Sequence, residues 1–284
     1  MVRIAPVDRD QLHRAFLEAF ADYAMDSSGT TEQRLRLRMQ KNCVDYSLSP
    51  GLYDGDRLVG FTLIGVDDWG SALTAYDAGT GITPAFRRQG WARRMFDHAL
   101  PALRDRGVKR FVLEVLQENG PAIKAYRKSG FEIARELRCF AAKVEDLHAA
   151  RASGDIDVRS IERDLFEETG SFADWLPSFE NRPSAIDALG GNVRFLGAFD
   201  DEACVGGLAY SPPLNWLLSL AVARDVRRRG AGTALMQQLS AELPPAITRL
   251  AALNVDAKDE GMQAFLESLG FTPLANQYEM ARSL

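Results

Sequence analysis

The chain has 284 residues, of which 46% are hydrophobic and 26% charged, as expected for a globular protein that buries a sizeable core. Its 34 basic and 39 acidic residues give a net charge of −5, which argues against broad nucleic-acid binding and against a polybasic membrane surface. Three scattered cysteines, three histidines far apart, and no apolar leader or membrane-length run predict a cytoplasmic protein without a metal site.

Helical and strand patterns alternate along the first half. Residues 11–23 and 31–42 have the apolar spacing of helices, and residues 53–60 predict a β-hairpin around an acidic turn. Further on, residues 110–115 read as a strand, and a last helix ends at Gly130, a residue type that commonly terminates helices. The first half is therefore predicted to be a mixed α/β unit.

A basic turn that contains glycine lies at residues 87–92 (Arg-Arg-Gln-Gly-Trp-Ala), between a strand and an amphipathic helix. Backbone N–H groups converge at a helix N-terminus, and Gly90 allows a ligand to approach the main chain closely. Arginines at this end oppose the helix dipole, so their presence favours a bound anion over an ordinary solvated helix start. The turn predicts a site for a ligand that carries phosphate.

The same turn recurs 140 positions later, at residues 227–232 (Arg-Arg-Arg-Gly-Ala-Gly). The following helix keeps its apolar face, a strand follows at residues 250–255, and the closing helix ends at Gly270, all at the same offset. Upstream the offset is 146, so the first half has six extra residues, expected in a loop around residues 67–70. The chain is predicted to be two copies of one unit, with the boundary within residues 143–155.

Two side chains downstream of the first turn suggest acid–base chemistry. Glu114 stands in an otherwise apolar strand, where a carboxylate is costly unless it is solvated, paired or functional. Asn119 is a plausible N-cap, and from it Ala122 and Tyr126 share one helical face. Two alternatives remain open at this point. Glu114 could lie on the solvent side of an edge-like strand or pair with an arginine such as Arg87, and Tyr126 could be a core aromatic.

The order of elements resembles the GCN5-related N-acetyltransferase (GNAT) superfamily over essentially the whole chain. The resemblance rests on the Arg-x-x-Gly-x-Ala/Gly motif between strand and helix, with residues 81–84 (Gly-Ile-Thr-Pro) ahead of it and Asn119 and Tyr126 behind it. It implies an α/β fold of two tandem GNAT-like domains, residues 1–145 and 156–284. Each domain would be a twisted mixed β-sheet flanked by helices.

The resemblance also implies the ligand and the site. Acetyl-CoA would be the co-substrate, with no metal, and the main chain of each motif would hold its pyrophosphate. Glu114 would be the general base and Tyr126 the general acid, and a backbone N–H near Ile82 is the simplest donor to the oxyanion. The residues expected at the cofactor are Ile82, Thr83, Arg87, Arg88, Gln89, Gly90, Trp91, Ala92 and Asn119 in the first half, and Val222, Arg227, Arg228, Arg229, Gly230, Ala231 and Gly232 in the second.

The second half departs from this pattern downstream of its turn. At the 140-residue offset, Asn254 replaces the glutamate, Asp259 replaces the asparagine and Leu266 replaces the tyrosine. Neither proton-transfer group is kept. We therefore expect the first domain to be catalytic and the second to be degenerate, with weak or merely structural binding of acyl-CoA.

Together these features predict an N-acetyltransferase in which a primary amine attacks acetyl-CoA directly. The amine would belong to a small molecule or a peptide N-terminus. A non-enzymatic acyl-CoA-binding or sensor protein and a protein-interaction scaffold are the alternatives. Asp22, Asp67, Asp68 and Trp69 are candidate acceptor contacts, with solvated loop acids and a half-buried tryptophan as the alternative. Short arginine clusters without an aromatic platform predict no nucleic-acid partner, and we expect a monomer or homodimer with no membrane contact.

Overall fold

The computed structural model describes residues 2–22, 29–147 and 156–284. These residues form two compact units, and each unit has a mixed β-sheet with helices packed on it. The predicted α/β class with two copies of one unit is therefore confirmed.

The two units are not two consecutive stretches of chain. The first comprises Met1–Arg135 together with Tyr278–Leu284, and the second comprises Glu136–Gln277. This division differs from the boundary predicted within residues 143–155, of which residues 148–155 lie outside the described part of the chain. Sequence patterns locate a linker between repeats, but they carry no information about which strand residues pack in which core.

The first unit is built on five strands in the order β1-β2-β3-β4-β5, antiparallel up to β4 and parallel between β4 and β5. Its elements are β1 (Val2–Pro6), α1 (Arg9–Phe20), α2 (Glu32–Lys41), β2 (Pro50–Asp54), β3 (Arg57–Trp69), β4 (Ala72–Ile82), α3 (Trp91–Asp105), β5 (Arg110–Leu116) and α4 (Gly120–Lys128). Helices α1 and α2 confirm the helices predicted at residues 11–23 and 31–42, apart from Tyr23, which lies outside the described residues.

The second unit repeats this plan in the strand order β6-β11-β10-β9-β8-β7, with β10 and β11 as its parallel pair. Its elements are β6 (Glu132–Lys143), α5 (Val144–Leu147), β7 (Asp157–Ser160), α6 (Arg163–Glu168), α7 (Pro183–Ala188), β8 (Arg194–Asp200), β9 (Ala203–Ser211), β10 (Trp216–Val222), α8 (Ala231–Glu242), β11 (Arg249–Asp256), α9 (Glu260–Ser268) and β12 (Thr272–Ser283).

Two strands divide their residues between the units. The first four residues of β6 and the last six of β12 belong to the first unit, and the rest of each strand belongs to the second. Met280 of β12 is fully buried in the same core cluster as Phe96 of α3. Phe140 of β6, 140 positions earlier, is equally buried with Leu235 of α8. Each half of the chain thus supplies a core residue to the unit built mainly from the other half.

Side-chain caps explain where several helices begin. Asp8 accepts a hydrogen bond from the N–H of Asp10 (2.9 Å) at the start of α1, and Thr31 caps α2. Asn119 accepts from the N–H of Ala122 (3.1 Å) at the start of α4, which confirms the predicted N-cap. Asp259 caps α9 in the same way, so the second unit keeps the cap although the residue has changed.

The extra six residues of the first unit lengthen strands and not a loop. β3 and β4 have 13 and 11 residues with two residues between them, whereas β9 and β10 have 9 and 7 with four between them, which is a net difference of six. Residues 67–69 therefore lie in β3, and the prediction of a loop there is wrong. The short strands β1 and β7 were also not predicted, because a strand of four or five residues depends on its neighbour for its backbone hydrogen bonds.

Candidate active site

The parallel strands of the first unit separate part of the way along their length. Their register runs from Thr74 opposite Arg110 to Asp77 opposite Leu113. Against its other neighbour, β3, strand β4 carries one extra residue, Ala78, which bends it where the paired stretch with β5 ends. Residues 79–82, the remainder of β4, are paired with β3 and not with β5, and the unpaired side of β4 between Asp77 and the basic turn is called the slot below.

The second unit has the same divergence. The parallel register of β10 and β11 covers Trp216 opposite Ala251 and Leu217 opposite Ala252. The extra residue of β10 is Leu218, which lies 140 positions after its counterpart in β4. The bulge therefore belongs to the repeated plan of the two units.

The two basic turns have matching backbone conformations. Arg88 and Gly90 have φ values of 62° and 78°, and Arg228 and Gly230 have φ values of 66° and 98°. An arginine in this left-handed region is unusual, since a side chain is sterically disfavoured there. Helices α3 and α8 begin directly after the glycines, so the free N–H groups of each first turn face the same end as the basic side chains.

The first turn fits a phosphate group. A side chain at Gly90 would meet no heavy atom within 4 Å, so the space above the main chain is open. The N–H of Arg94 in α3 donates to the carbonyl of Gly90 (3.2 Å). A helix leaves the N–H groups before such a bond without an intrahelical partner, so they are available to an anion. Arg88 is exposed beside them.

The first arginine of the motif is used by the protein itself. The Arg87 guanidinium donates to the carbonyls of Ile82 (3.0 Å) and Ala19 (2.9 Å) and to both carboxylate oxygens of Asp22 (2.6 Å each). The hydrogen bond from Arg87 holds the pKa of Asp22 below its ordinary value. Arg87 was expected at the cofactor, but its side chain joins the end of α1 to the end of β4.

The second unit repeats this arrangement with different partners. Arg227 donates to the carbonyls of Val222 (2.9 Å) and Phe172 (2.8 Å) and to the carboxylate of Asp174 (2.5 Å). Asp174 also binds Arg224, and the hydrogen bonds from Arg227 and then Arg224 lower its pKa. In both units the first motif arginine thus anchors the turn.

Other residues predicted at the first turn also make internal contacts. Trp91 Nε1 donates to Gln89 Oε1 (3.2 Å), and the Arg94 guanidinium lies 4.6 Å from the centre of the tryptophan ring. Thr83 is buried, and its N–H donates to the carbonyl of Val59 (2.9 Å). These contacts fix the turn and leave its main chain and Arg88 as the groups directed to a ligand.

The second turn has a more crowded helix start. A side chain at Gly232 would lie 3.1 Å from the ring of Phe265 in α9, so the glycine allows the two helices to pack closely. Ala231 is buried, whereas Arg228 and Arg229 are exposed. The turn geometry is retained, with the two arginines as its exposed basic groups.

Glu114 is half-buried on β5, and the hydroxyl of Tyr76 on β4 donates a hydrogen bond to its carboxylate. β5 has neighbours on both sides and is not an edge strand. The guanidinium of Arg87 binds Asp22 and not Glu114. The explanation as an edge strand is therefore wrong and Arg87 is not the partner of Glu114, whose carboxylate lies beside the strand divergence with Tyr76 as a partner.

Tyr126 lies on α4, half-buried, with its ring edge-on to Phe96 (5.9 Å between ring centres) and Phe131 (6.0 Å). The ring thus has the aromatic packing that the core-residue interpretation predicts. Since Tyr126 keeps partial exposure and shares α4 with the cap residue Asn119, this packing is also compatible with a hydroxyl directed to the slot.

The corresponding region of the second unit differs in backbone as well as in residue type. β11 carries a bulge at residues 253–254, and Asn254 is buried with a φ of 60°. Glu180 lies beside it, with Asn254 Nδ2 donating to Glu180 Oε2 (3.5 Å), and Asn181 Nδ2 donates to the carbonyl of Leu253 (2.8 Å). The segment before α7 thus covers this part of β11.

Sequence reasoning missed Tyr76 and Asp77, which are adjacent on β4. Asp77 is 6% exposed, and burial raises its pKa to about 6, although hydrogen bonds from Thr80 and Gly79 oppose that rise. The signal for Glu114 in the sequence is a polar residue within an otherwise apolar strand. The same signal was present in residues 75–78 (Ala-Tyr-Asp-Ala).

Three of the four candidate acceptor contacts are engaged within the protein, and the fourth, Asp68, is exposed. Trp69 is only 5% exposed, and the Arg110 guanidinium lies 4.3 Å from its ring centre. Asp22 binds Arg87, and the carboxylate of Asp67 lies 3.8 Å from the thiol of Cys43. None of these contacts singles out an acceptor.

Two further observations concern the parts of the chain that the structure describes. Within them, no group of three or more histidine, cysteine, aspartate or glutamate side chains has the arrangement of a metal site. Over the same ranges, no helix is both long enough and apolar enough to span a bilayer.

Each of the two α/β units combines a strand divergence with an arginine–glycine turn, which is the duplicated fold expected from the sequence resemblance. The Acetyltransferase (GNAT) family model matches residues 10–131 and again residues 157–271, and the chain belongs to this family. The resemblance drawn from the sequence is confirmed, including the tandem arrangement.

Curated relatives match only parts of the chain. It is 40% identical over 78 residues to streptothricin acetyltransferase of Streptomyces lavendulae, which covers 28% of this chain and 40% of that protein. It is 32% identical over 135 residues to mycothiol acetyltransferase of Thermobifida fusca (strain YX), which covers 45% of this chain and 41% of that protein. The chain thus spans less than half the length of either relative.

Solved structures resemble the chain over its whole length. A tandem GNAT protein from the clavulanic acid biosynthesis pathway has a TM-score of 0.71 at 16% identity, with coverage of 100% of this chain and 98% of that one. A GCN5-related N-acetyltransferase from Sphaerobacter thermophilus has a TM-score of 0.74 at 14% identity, with coverage of 99% and 95%. At these identities the likeness supports the fold alone.

Proposed function

We propose that the first unit transfers the acetyl group of acetyl-CoA to a primary amine. The observation that carries this proposal is the half-buried carboxylate of Glu114 beside the strand divergence, in the unit that also has Tyr126 on α4. The thioester of acetyl-CoA supplies an acetyl group already activated for transfer. The chain's own residues must bind that ligand, remove a proton from the amine and protonate the departing sulfur.

The main chain of the first basic turn would bind the phosphates of coenzyme A. Its open space at Gly90, the free amides at the start of α3 and the exposed guanidinium of Arg88 all suit an anion. Arg87 contributes indirectly, since its hydrogen bonds hold the turn against α1. Asn119 caps α4 through its oxygen, which leaves its amide N–H groups as candidate donors to the cofactor.

Proton transfer is assigned to two residues. Glu114 takes the proton of the attacking ammonium, the new bond forms between the amine nitrogen and the acetyl carbon, and the bond from that carbon to sulfur breaks. The hydroxyl of Tyr126 then gives its proton to the sulfur. The nitrogen releases its second proton, which restores the Tyr126 phenol by way of solvent, and Glu114 loses its proton to solvent. Tyr76 would orient the Glu114 carboxylate through the hydrogen bond that it donates.

The second unit would have a structural role. It keeps the turn and the arginine anchor, but Asn254 lies in a left-handed bulge and contacts Glu180. Neither Asn254 nor Leu266, which is fully buried, offers a proton-transfer group. A protein that only binds or senses acyl-CoA is the alternative, and the retained second turn is the observation in its favour.

The acceptor would be a small-molecule amine or a peptide N-terminus. The names of the two relatives specify streptothricin and mycothiol, and acetylation of a small-molecule amine would suit both, while the peptide N-terminus remains the acceptor class expected from the sequence. A panel of amines assayed by release of free coenzyme A thiol would identify the acceptor class. Release that depends on none of the amines tested would favour the binding or sensor alternative.

Two conservative variants test the catalytic assignment. Glu114→Gln and Tyr126→Phe should each lower kcat by about 100-fold or more and leave the Kd for acetyl-CoA nearly unchanged, because each removes a proton-transfer group and keeps the shape. Asp259→Asn, which places the first unit's cap residue in the second unit, is the control and should keep wild-type turnover. Wild-type turnover in both test variants would exclude the proposed mechanism.

A further inference from the structure

Asp77 is a buried carboxylate that the proposed chemistry does not use. Its side chain is 6% exposed, and its partner in the register with β5 is Leu113, the last paired residue before the strands diverge. The bulge residue Ala78 follows it directly. A carboxylate in such a place is costly unless polar partners compensate for its lost hydration.

Both oxygens of Asp77 hold the segment that follows the bulge. Oδ1 accepts a hydrogen bond from the N–H of Gly79 (3.0 Å), and Oδ2 accepts from the hydroxyl of Thr80 (2.8 Å). The hydroxyl oxygens of Thr80 and Thr62 on β3 are also 3.0 Å apart. The carboxylate therefore holds the bent part of β4 in one conformation and, through Thr80, links it to β3.

The second unit forms the same bulge without a carboxylate. Its corresponding residues are Leu217, Leu218, Ser219 and Leu220, and β10 diverges from β11 there as β4 does from β5. A bulge in this fold thus requires no buried acid. The buried acid is present in the unit that has Glu114 and absent from the unit that lacks a counterpart of Glu114. This pairing connects the acid with the chemistry of the first unit.

We propose that Asp77 is a positioning residue for acyl transfer in the first unit. Residues 79–82 border the slot and are paired with β3 on one side only, so the direction of their backbone groups depends on the contacts at Gly79 and Thr80. By fixing that direction, Asp77 sets where a bound acyl group lies relative to Glu114. This inference rests on the proposed function.

The test compares two substitutions at the same position. Asp77→Leu installs the second unit's residue and removes both hydrogen bonds, and it should lower kcat about tenfold or more with little change in KM for acetyl-CoA, because the phosphate turn is untouched. Asp77→Asn can accept from Gly79 and donate to Thr80, and it should keep kcat within about threefold of wild type.

Thermal unfolding separates positioning from general support of the fold. Since both variants remove a buried charge, each should melt at pH 7 at or above the wild-type temperature, so activity and stability move in opposite directions in Asp77→Leu. A lower melting temperature in Asp77→Leu, with kcat falling in proportion to the folded fraction, would overturn the proposal. A loss of kcat in Asp77→Asn as large as in Asp77→Leu would also overturn it.

Thr80→Val keeps the shape of the side chain and removes the hydroxyl, so it provides a second, milder test. It should lower kcat less than Asp77→Leu and leave KM for acetyl-CoA unchanged. Wild-type kcat in Asp77→Leu alongside an inactive Glu114→Gln would reject the positioning role and keep the proposed function. Wild-type kcat in both Glu114→Gln and Tyr126→Phe would instead reject the proposed roles of these two residues, whereas thiol release that depends on none of the amines would reject the proposed function itself.

Discussion

The two units share a ligand turn and differ in the strand that lies beside it. Both turns place an arginine and a glycine at left-handed φ, and both anchor their first arginine to an aspartate, Asp22 or Asp174, and to two backbone carbonyls. The two aspartates are not related by the repeat offset, so the anchor is retained although the preceding segments differ. The turn is thus a robust local structure.

The parallel strands that follow the turns have diverged much further. Glu114 on β5 binds Tyr76 of the neighbouring strand, whereas Asn254 on β11 sits in a bulge next to Glu180. A phosphate cradle depends mainly on backbone geometry, which tolerates changes of side chain. Proton transfer depends on particular side chains, and a single substitution removes it. The comparison therefore separates retention of a binding turn from retention of chemistry.

Substitutions that block the ligand turn of one unit at a time should have the largest effect, which is on the affinity for acetyl-CoA. Gly90→Glu forces a side chain into left-handed φ and adds a negative charge where phosphate is expected, so acetyl-CoA binding to the first unit should weaken by about 100-fold or more. Gly230→Glu is the matched variant and should leave that binding intact. Calorimetric titration should give one site per wild-type chain, and a stoichiometry of two would contradict the weak binding expected of the second turn.

Replacing a core side chain on β12 or β6, the two strands divided between the units, should destabilise one unit at a time. Met280→Ala opens a cavity beside Phe96 and should cost the first unit about 2–5 kcal/mol, while Phe140→Ala should cost the second about 3–5 kcal/mol. Hydrogen exchange would show the effect in α3 for Met280→Ala and in α8 for Phe140→Ala. Faster exchange confined to α8 in Met280→Ala would contradict the assignment of that residue to the first core.

The buried acid of the first unit gives a smaller, pH-dependent difference. Burial raises the pKa of Asp77 from 3.8 to about 6, so the folded state retains this proton to higher pH than the unfolded state does. The carboxyl therefore lowers the free energy of unfolding progressively as pH rises from about 4 to 6, by about 3 kcal/mol in all. Asp77→Asn should remove that loss, with stability raised at pH 7 and little changed at pH 4. Equal effects at both pH values in denaturant titrations would contradict it.

Much of this architecture follows from local sequence signals. Some features depend only on contacts within a few residues, and they are present as predicted. They are the amphipathic helices, the cap at Asn119 and the helix ends at Gly130 and Gly270. The duplication was equally visible, because the spacing of the turn and the closing helix is retained. The catalytic roles of Glu114 and Tyr126 stay predictions.

The remaining features depend on contacts between distant residues. Arg87 reads as a phosphate ligand in sequence, yet its partner Asp22 lies 65 positions away. Tyr76 becomes relevant only because the parallel register brings it next to Glu114, 38 residues later. The division of β6 and β12 between two cores leaves no signal at all, since both strands have the same pattern whichever sheet they join.

The division of β12 also has a consequence for how the protein is made. Residues 278–284 are synthesised after the whole of the second unit, so the first unit lacks Met280 from its core until the second unit has been made. Folding of N-terminal domains usually proceeds while translation continues. Here the proposed catalytic unit stays incomplete until the second unit has been synthesised, and a nascent chain that stops within residues 136–277 would lack its last strand.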